Sequence, residues 1–187
     1  MIEIEMKAKI TSQQRNYIKQ WCKNNCNYVG HVLKRDNYLK SDSSNKNFRI
    51  REEYTCNKNQ KAIVTIKERT LINECECNNE VEFSISDVKA FSYFSNMLGY
   101  KTFIKKDKIS YLYKRGQYSI EINSVRFLGD FIEIEYLCDN QDNYDTIINK
   151  IKEQFALLGI SPSQVETKSY TQLLNERGKE DSDKNYC

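Results

Sequence analysis

Histidine and proline each occur once in this 187-residue chain, and glycine only six times. A single histidine, His31, excludes multi-histidine metal sites. Six scattered glycines form no glycine-rich run, which excludes phosphate-cradling P-loops and dinucleotide fingerprints. No stretch approaches the roughly 18 apolar residues of a membrane span. A large excess of one charge is also missing. Lys and Arg number 29 against 26 Asp and Glu, a net charge of +3, so the chain does not read as a nucleic-acid binder. Acids interrupt Met1-Ile2-Glu3-Ile4-Glu5 where a secretory signal needs apolar residues. The odd count of seven cysteines then reads as free thiols in a cytoplasmic protein. Cys22/Cys26 and Cys75/Cys77 have the spacing of zinc half-sites, yet neither has a second pair at finger spacing.

What is present is charge, aromatic surface and a period of two. Aromatic residues make up 12% of a chain only 39% hydrophobic, enough large side chains to build a core. The length suits one domain, expected over 1–176, with a polar and flexible tail over 177–187. Ile2, Ile4, Met6 and Ala8 alternate with Glu3, Glu5, Lys7 and Lys9, the pattern of a strand with one charged face. Similar strand character recurs over 28–40, 48–54, 61–68, 75–85, 101–113, 118–123 and 131–136, and Asn57-Lys58-Asn59 reads as a hairpin turn. Helices are expected over 11–23, from Ser86 or Asp87 to Leu98, and over 142–158, the last stopping at Gly159. A short helix is expected at 169–174. This succession predicts an α+β domain around an antiparallel sheet or barrel. If the sheet closes and helices cover its apolar face, the charges line the lumen.

Seven segments in order then resemble one family. Glu3-Ile4-Glu5-Met6-Lys7 resembles its ExExK strand, and Asp36-Asn37-Tyr38 its D-x-Y strand. Phe48-Arg49-Ile50-Arg51 and Thr65-Ile66-Lys67 resemble L-R-I-R and T-x-K. Lys106-Asp107-Lys108 with Tyr111 resembles K-x-R-x-x-Y, residues 128–135 resemble L-G-x-F-x-E-I-E, and residues 169–174 resemble S-Y-x-x-L-L. This is the pattern of the CYTH superfamily, the triphosphate tunnel metalloenzymes, and it looks most like the class IV adenylyl cyclase branch. The resemblance implies an eight-stranded antiparallel β-barrel with helices packed outside, a triphosphate along its axis, and Mg²⁺ or Mn²⁺ at one end.

The residue types suit that chemistry. Lys7, Arg49, Arg51, Lys67, Lys106 and Lys108 supply cations for a polyanion, arginine through bidentate contacts and lysine as a point charge. Glu3, Glu5, Glu133 and Glu135 supply the oxygen ligands that hard divalent cations prefer. Glu5, Glu133 and Lys7 are the expected catalytic residues, with Glu133 the safer metal ligand of its pair and Glu135 free to hold a lysine. Glu80 and Glu82 are expected in ion pairs, Asp36 and Tyr38 in structural roles, His31 packed or at the surface, and Tyr170 packing the last helix over the barrel. Three positions depart from the family's pattern: Asn123 replaces an aspartate, Lys108 an arginine, and Asn78-Asn79 occupy the region of another arginine.

The leading expectation is a metal-dependent conversion of ATP to cyclic AMP and pyrophosphate. Hydrolysis of thiamine triphosphate, inorganic tripolyphosphate or a nucleoside triphosphate is the alternative, and a non-catalytic nucleotide or polyphosphate sensor is a third reading. ATP or another triphosphate is the expected partner, with no nucleic acid and no membrane; analogy with bacterial relatives suggests a homodimer.

Overall fold

The computed structural model describes residues 2–55, 60–138 and 143–184. Eight strands close into one antiparallel barrel in the order β1-β5-β4-β3-β2-β6-β7-β8. They are β1 (Ile2–Ile10), β2 (Asn27–Ser41), β3 (Ser44–Thr55), β4 (Gln60–Ile72), β5 (Cys75–Ser84), β6 (Lys101–Arg115), β7 (Tyr118–Val125) and β8 (Gly129–Cys138). Helices α1 (Ser12–Asn25), α2 (Val88–Met97), α3 (Tyr144–Leu157) and α4 (Tyr170–Lys184) lie outside the strand circuit. Of the sheet or barrel that the alternation allowed, the closed α+β barrel that the family resemblance implied is the fold of the protein.

The main core lies between the barrel's outer face and two helices. Ile4, Met6, Ala8 and Ile10 of β1 and Ile132 and Ile134 of β8 pack with Ile18 and Cys22 of α1 and Ile147, Ile148, Ile151 and Phe155 of α3. Each fully buried isoleucine contributes about 1.5–3 kcal/mol, so this seam ties β1 and β8 to the helices. A smaller cluster of Leu39, Ile50 and Val64 lies under Val88 and Phe91 of α2. Thr11 and Gln14 form a reciprocal capping box that starts α1. Gly99 and Gly159 follow α2 and α3 in the left-handed region, where a Cβ would be strained.

The differences from the sequence expectation are local. The β4 strand continues to Ile72 and turns into β5 through Asn73 and Glu74, both at positive φ, as a two-residue hairpin requires. The alternation had hidden this end because Glu68, on the outer face, is exposed and paired with Lys46. Residues 57–59, expected to turn β3 into β4, lie outside the described residues, as does Asp142, the expected start of α3. The last helix continues to Lys184, so the backbone over 177–184 is helical where a loose tail was expected. Gly178, Asp181, Ser182 and Asp183 read as turn-formers, and a polar helix leaves no apolar periodicity to read.

Candidate active site

Since successive strand residues point to opposite faces, burying Ile4 and Met6 outside turns Glu3, Glu5 and Lys7 inward. The same argument repeated around the circuit gives a lumen of about 700 Å³ lined by charged side chains from all eight strands. Lys7, Lys34, Arg49, Arg51, Lys67, Arg69, Lys106 and Lys108 face it, and so do Glu3, Glu5, Glu76, Glu80, Glu82, Glu121, Glu133 and Glu135. All ten residues expected to hold a triphosphate or a metal are therefore brought to one cavity.

On the β2–β3–β6 wall, Arg51 donates from Nε to Asp36 Oδ1 at 2.8 Å and from Nη2 to Oδ2 at 3.0 Å. Lys106 Nζ lies 2.9 Å from the same Oδ2 and donates to the Tyr38 hydroxyl at 3.0 Å. Burial opposes ionisation of Asp36, but Lys106 and Arg51 hold its carboxyl well below the usual range. Next to this cluster, Lys34 contacts Glu121 at 2.7 Å, and Lys108 contacts Glu121 and Glu133, each at 3.0 Å. Asn123 Nδ2 donates to Glu133 Oε2 at 2.7 Å, while its Oδ1 accepts from Ser110 at 2.6 Å. Burial would raise Glu133; Lys108 and Lys7 bring it to about 2. Glu133, expected to leave its lysine contacts to Glu135, is thus the partner that holds Lys108.

The acidic side has the opposite electrostatics. Glu5 is in register with Glu135 on β8 and Glu76 on β5. Lys67 lies 2.7 Å from Glu80 and 3.8 Å from Glu5. Arg69 and Lys7 hold Glu76, at 2.8 and 3.5 Å, which leaves Lys67 as the cation paired with Glu5 and Glu80. Burial pushes Glu3 up to about 10, and Glu5, Glu135 and Glu80 add to the rise against Lys67. Burial with Glu5 and Glu121 pushes Glu135 to about 7, and burial with Glu133 raises Glu5. Burial first, and mutual repulsion second, make Glu3, Glu5 and Glu135 resist ionisation, a set chemically suited to a hard divalent cation. Among the described residues, no three such groups already converge on one point. The donor types fit the ion, with phosphate and water oxygens completing its shell.

Tyr170 lies deeper than expected. Its ring meets Phe131 edge to face at 5.1 Å, and Lys7 and Lys106 each sit 4.9 Å from its centroid. Val125 and Phe131, the lumen-facing residues nearest the β7–β8 turn, join Tyr170, Leu128 and Leu173 in an apolar cluster that fills this end. Glu80 and Glu82 make ion pairs, Glu82 at 3.4 Å from Arg49. His31 stacks on Tyr111 at 5.1 Å, and the parity of β6 puts that pair on the outer face. Burial raises the thiols of Cys22 and Cys75, the latter to about 12.

Lumen residues that the motifs did not single out are Lys34, Arg69, Glu76, Glu121 and Asn78. Four lie two residues from a position already expected to face inward or on a motif strand, Lys34 from Asp36, Arg69 from Lys67, Glu121 from Asn123 and Asn78 from Glu80, and Glu76 lies one further step along the same face from Asn78. The period of two was the signal that could have found them.

Comparison with known proteins agrees with this architecture. The sequence matches the CYTH domain over residues 1–170, and the chain belongs to that family. It is similar to a candidate adenylate cyclase of Methanocaldococcus jannaschii, 25% identical over 175 residues, which cover 92% of this chain and 98% of the relative. A solved Pyrococcus horikoshii protein shares the fold with a TM-score of 0.83 at 23% identity, covering 94% of this chain and 99% of that one. A Hippeastrum protein, a candidate adenylyl cyclase with a dominant triphosphatase activity, shares it with a TM-score of 0.67 at 11% identity, covering 94% and 95%.

Proposed function

We propose that this member of the CYTH domain family is a metal-dependent adenylyl cyclase that converts ATP to cyclic AMP and pyrophosphate inside its barrel. One observation carries the reading: a closed lumen whose cations and carboxylates come from every strand, with the carboxyls in excess on one side. A triphosphate needs cations along its length and a divalent ion where its charge changes most.

In this reading Lys7, Lys106, Lys108, Arg49 and Arg51 hold the phosphoryl oxygens, with Lys67 beside the acidic side. Arg51 is already oriented by Asp36, so its guanidinium loses little freedom when an anion arrives. Glu3, Glu5 and Glu135, joined by Glu133, hold Mg²⁺ or Mn²⁺. Such an ion neutralises charge on the phosphoryl oxygens and lowers the pKa of the attacking hydroxyl. The ribose 3′-oxygen bonds to the α-phosphorus, the bond from that phosphorus to the bridging oxygen breaks, and the proton leaves toward the Glu5 side. Lys7 takes up charge on the departing pyrophosphate.

A second reading, hydrolysis of the terminal phosphoryl group, is favoured by the blind end at Tyr170. Three lysines gather there without any demand for a nucleoside, and the Hippeastrum neighbour carries a triphosphatase activity. Incubation with ATP and Mg²⁺ or Mn²⁺, followed by resolution of the products, decides between them. Cyclic AMP with pyrophosphate supports the cyclase. ADP with phosphate, or cleavage of tripolyphosphate, replaces it by the triphosphatase. Tight metal-dependent binding without turnover leaves a sensor.

A further inference from the structure

Two buried asparagines face this lumen, and they differ in a way that separates a structural amide from a ligand-binding one. Asn123 is fully buried with both amide atoms engaged, by Ser110 and Glu133. Asn78 is 1% exposed, lines the cavity, and has no hydrogen-bond partner for either Nδ2 or Oδ1 among the described residues. Leaving a buried donor or acceptor unmade costs about 1–3 kcal/mol each. Native structures rarely keep such groups without a reason.

The orphaned atoms are not scattered. Among the described residues, three of the buried side-chain atoms without a partner belong to Asn78 and Arg49, both on the wall of this one cavity. The neighbours of Asn78 indicate what it meets. In register it stands between Glu3 on β1 and Arg69 on β4. It is a neutral group where the carboxyl-rich side adjoins a basic residue, able to donate toward an anion and accept toward a cation.

We propose that Asn78 is a direct contact of the bound triphosphate. Its Nδ2 donates a hydrogen bond to a phosphoryl oxygen, and its Oδ1 faces the divalent cation or that ion's water. The assignment rests on the tunnel reading of the preceding subsection and adds to it a residue that binds substrate without supporting the fold.

The test pairs affinity with stability, because a structural asparagine and a ligand-binding one move these in different directions. Calorimetric titration with tripolyphosphate and with ATP, each with Mg²⁺, is compared between the wild-type chain and Asn78→Ala, alongside thermal melts without ligand. Asn78→Ala weakens both anions about equally, by roughly tenfold or more for a hydrogen bond to a charged group. Its unliganded melting temperature stays level or rises, since no hydrogen bond within the protein is lost. Asn78→Asp, which keeps the shape but replaces the donor with a negative charge, weakens both anions further. Unchanged affinity overturns the assignment. So does a loss confined to ATP, which would make Asn78 a nucleobase contact, or a marked fall in melting temperature. If the wild-type chain binds neither anion, the tunnel reading itself fails and the assignment fails with it.

Discussion

Lys108 and Glu133 meet across the lumen with Nζ 3.0 Å from Oε2. The pair joins a residue expected on the phosphate side to one expected on the metal side. In the unliganded barrel these two groups neutralise each other, and Glu121 and Asn123 fix their positions from β7. A triphosphate with its cation would exchange this internal pairing for two new ones, anion to lysine and cation to carboxylate. Substrate and metal are therefore expected to bind cooperatively, each releasing the partner that the other needs.

Glu133→Ala and Glu5→Ala should each remove turnover while the barrel persists. A reduction on the order of 10²–10³-fold is the scale for losing one preorganised electrostatic contact. Lys108 keeps Glu121 as counter-charge when Glu133 is truncated, so the circular dichroism spectrum should remain that of the native chain. Full activity in either variant would refute the proposed roles.

Asp36 supports two buried cations, and its loss should be felt in stability. Asp36→Ala leaves Arg51 and Lys106 without their shared carboxylate, an expected loss of about 3–5 kcal/mol in denaturant unfolding. The sign with pH follows from a depressed folded-state pKa. The contribution is fully present above the ordinary value of 3.8 and is lost progressively as pH falls from there through the much lower folded value. Wild-type stability should therefore decline at this site on acidification below about pH 4, a decline that Asp36→Ala lacks, and a variant as stable as wild type at neutral pH would contradict the pairing.

Glu3 and Glu135 work in the other direction. Their folded pKa values, about 10 and about 7, lie above the unfolded value of 4.5, so the folded chain binds more protons between those limits. Their contribution is fully present below pH 4.5 and is lost as pH rises through the folded values. A divalent cation competes with those protons. The rise in melting temperature on adding Mg²⁺ should be small at pH 5 and larger at pH 8, and chelation should reverse it. A shift independent of pH would place the ion elsewhere.

Tyr170 should separate packing from hydroxyl chemistry. Its ring packs on Phe131, while its hydroxyl interacts with the Glu133 carboxylate. Tyr170→Phe should lose no more than about 1–2 kcal/mol, the scale of one hydrogen bond. Tyr170→Ala should cost about 3–5 kcal/mol, the scale for truncating a buried aromatic. Equal losses in both variants would mean that the hydroxyl, not the ring, holds α4 in place.

The alternation along β1, β3 and β6 was sufficient to say which residues face inward, because a strand has only two faces and the apolar face had to meet the helices. That is why all ten expected ligand residues reached the lumen. The same rule, extended by two residues, reaches Lys34, Glu121 and Asn78. Sequence by itself determined the strand succession, the sidedness of the charges and the family motifs. Tertiary structure decided the partners: Glu133 rather than Glu135 on Lys108, Asp36 between Arg51 and Lys106, and the Tyr170 ring inside the barrel instead of over it. Those contacts join residues at least 15 positions apart on different strands, or on a helix and a strand. They depend on register and barrel closure, which no local period records.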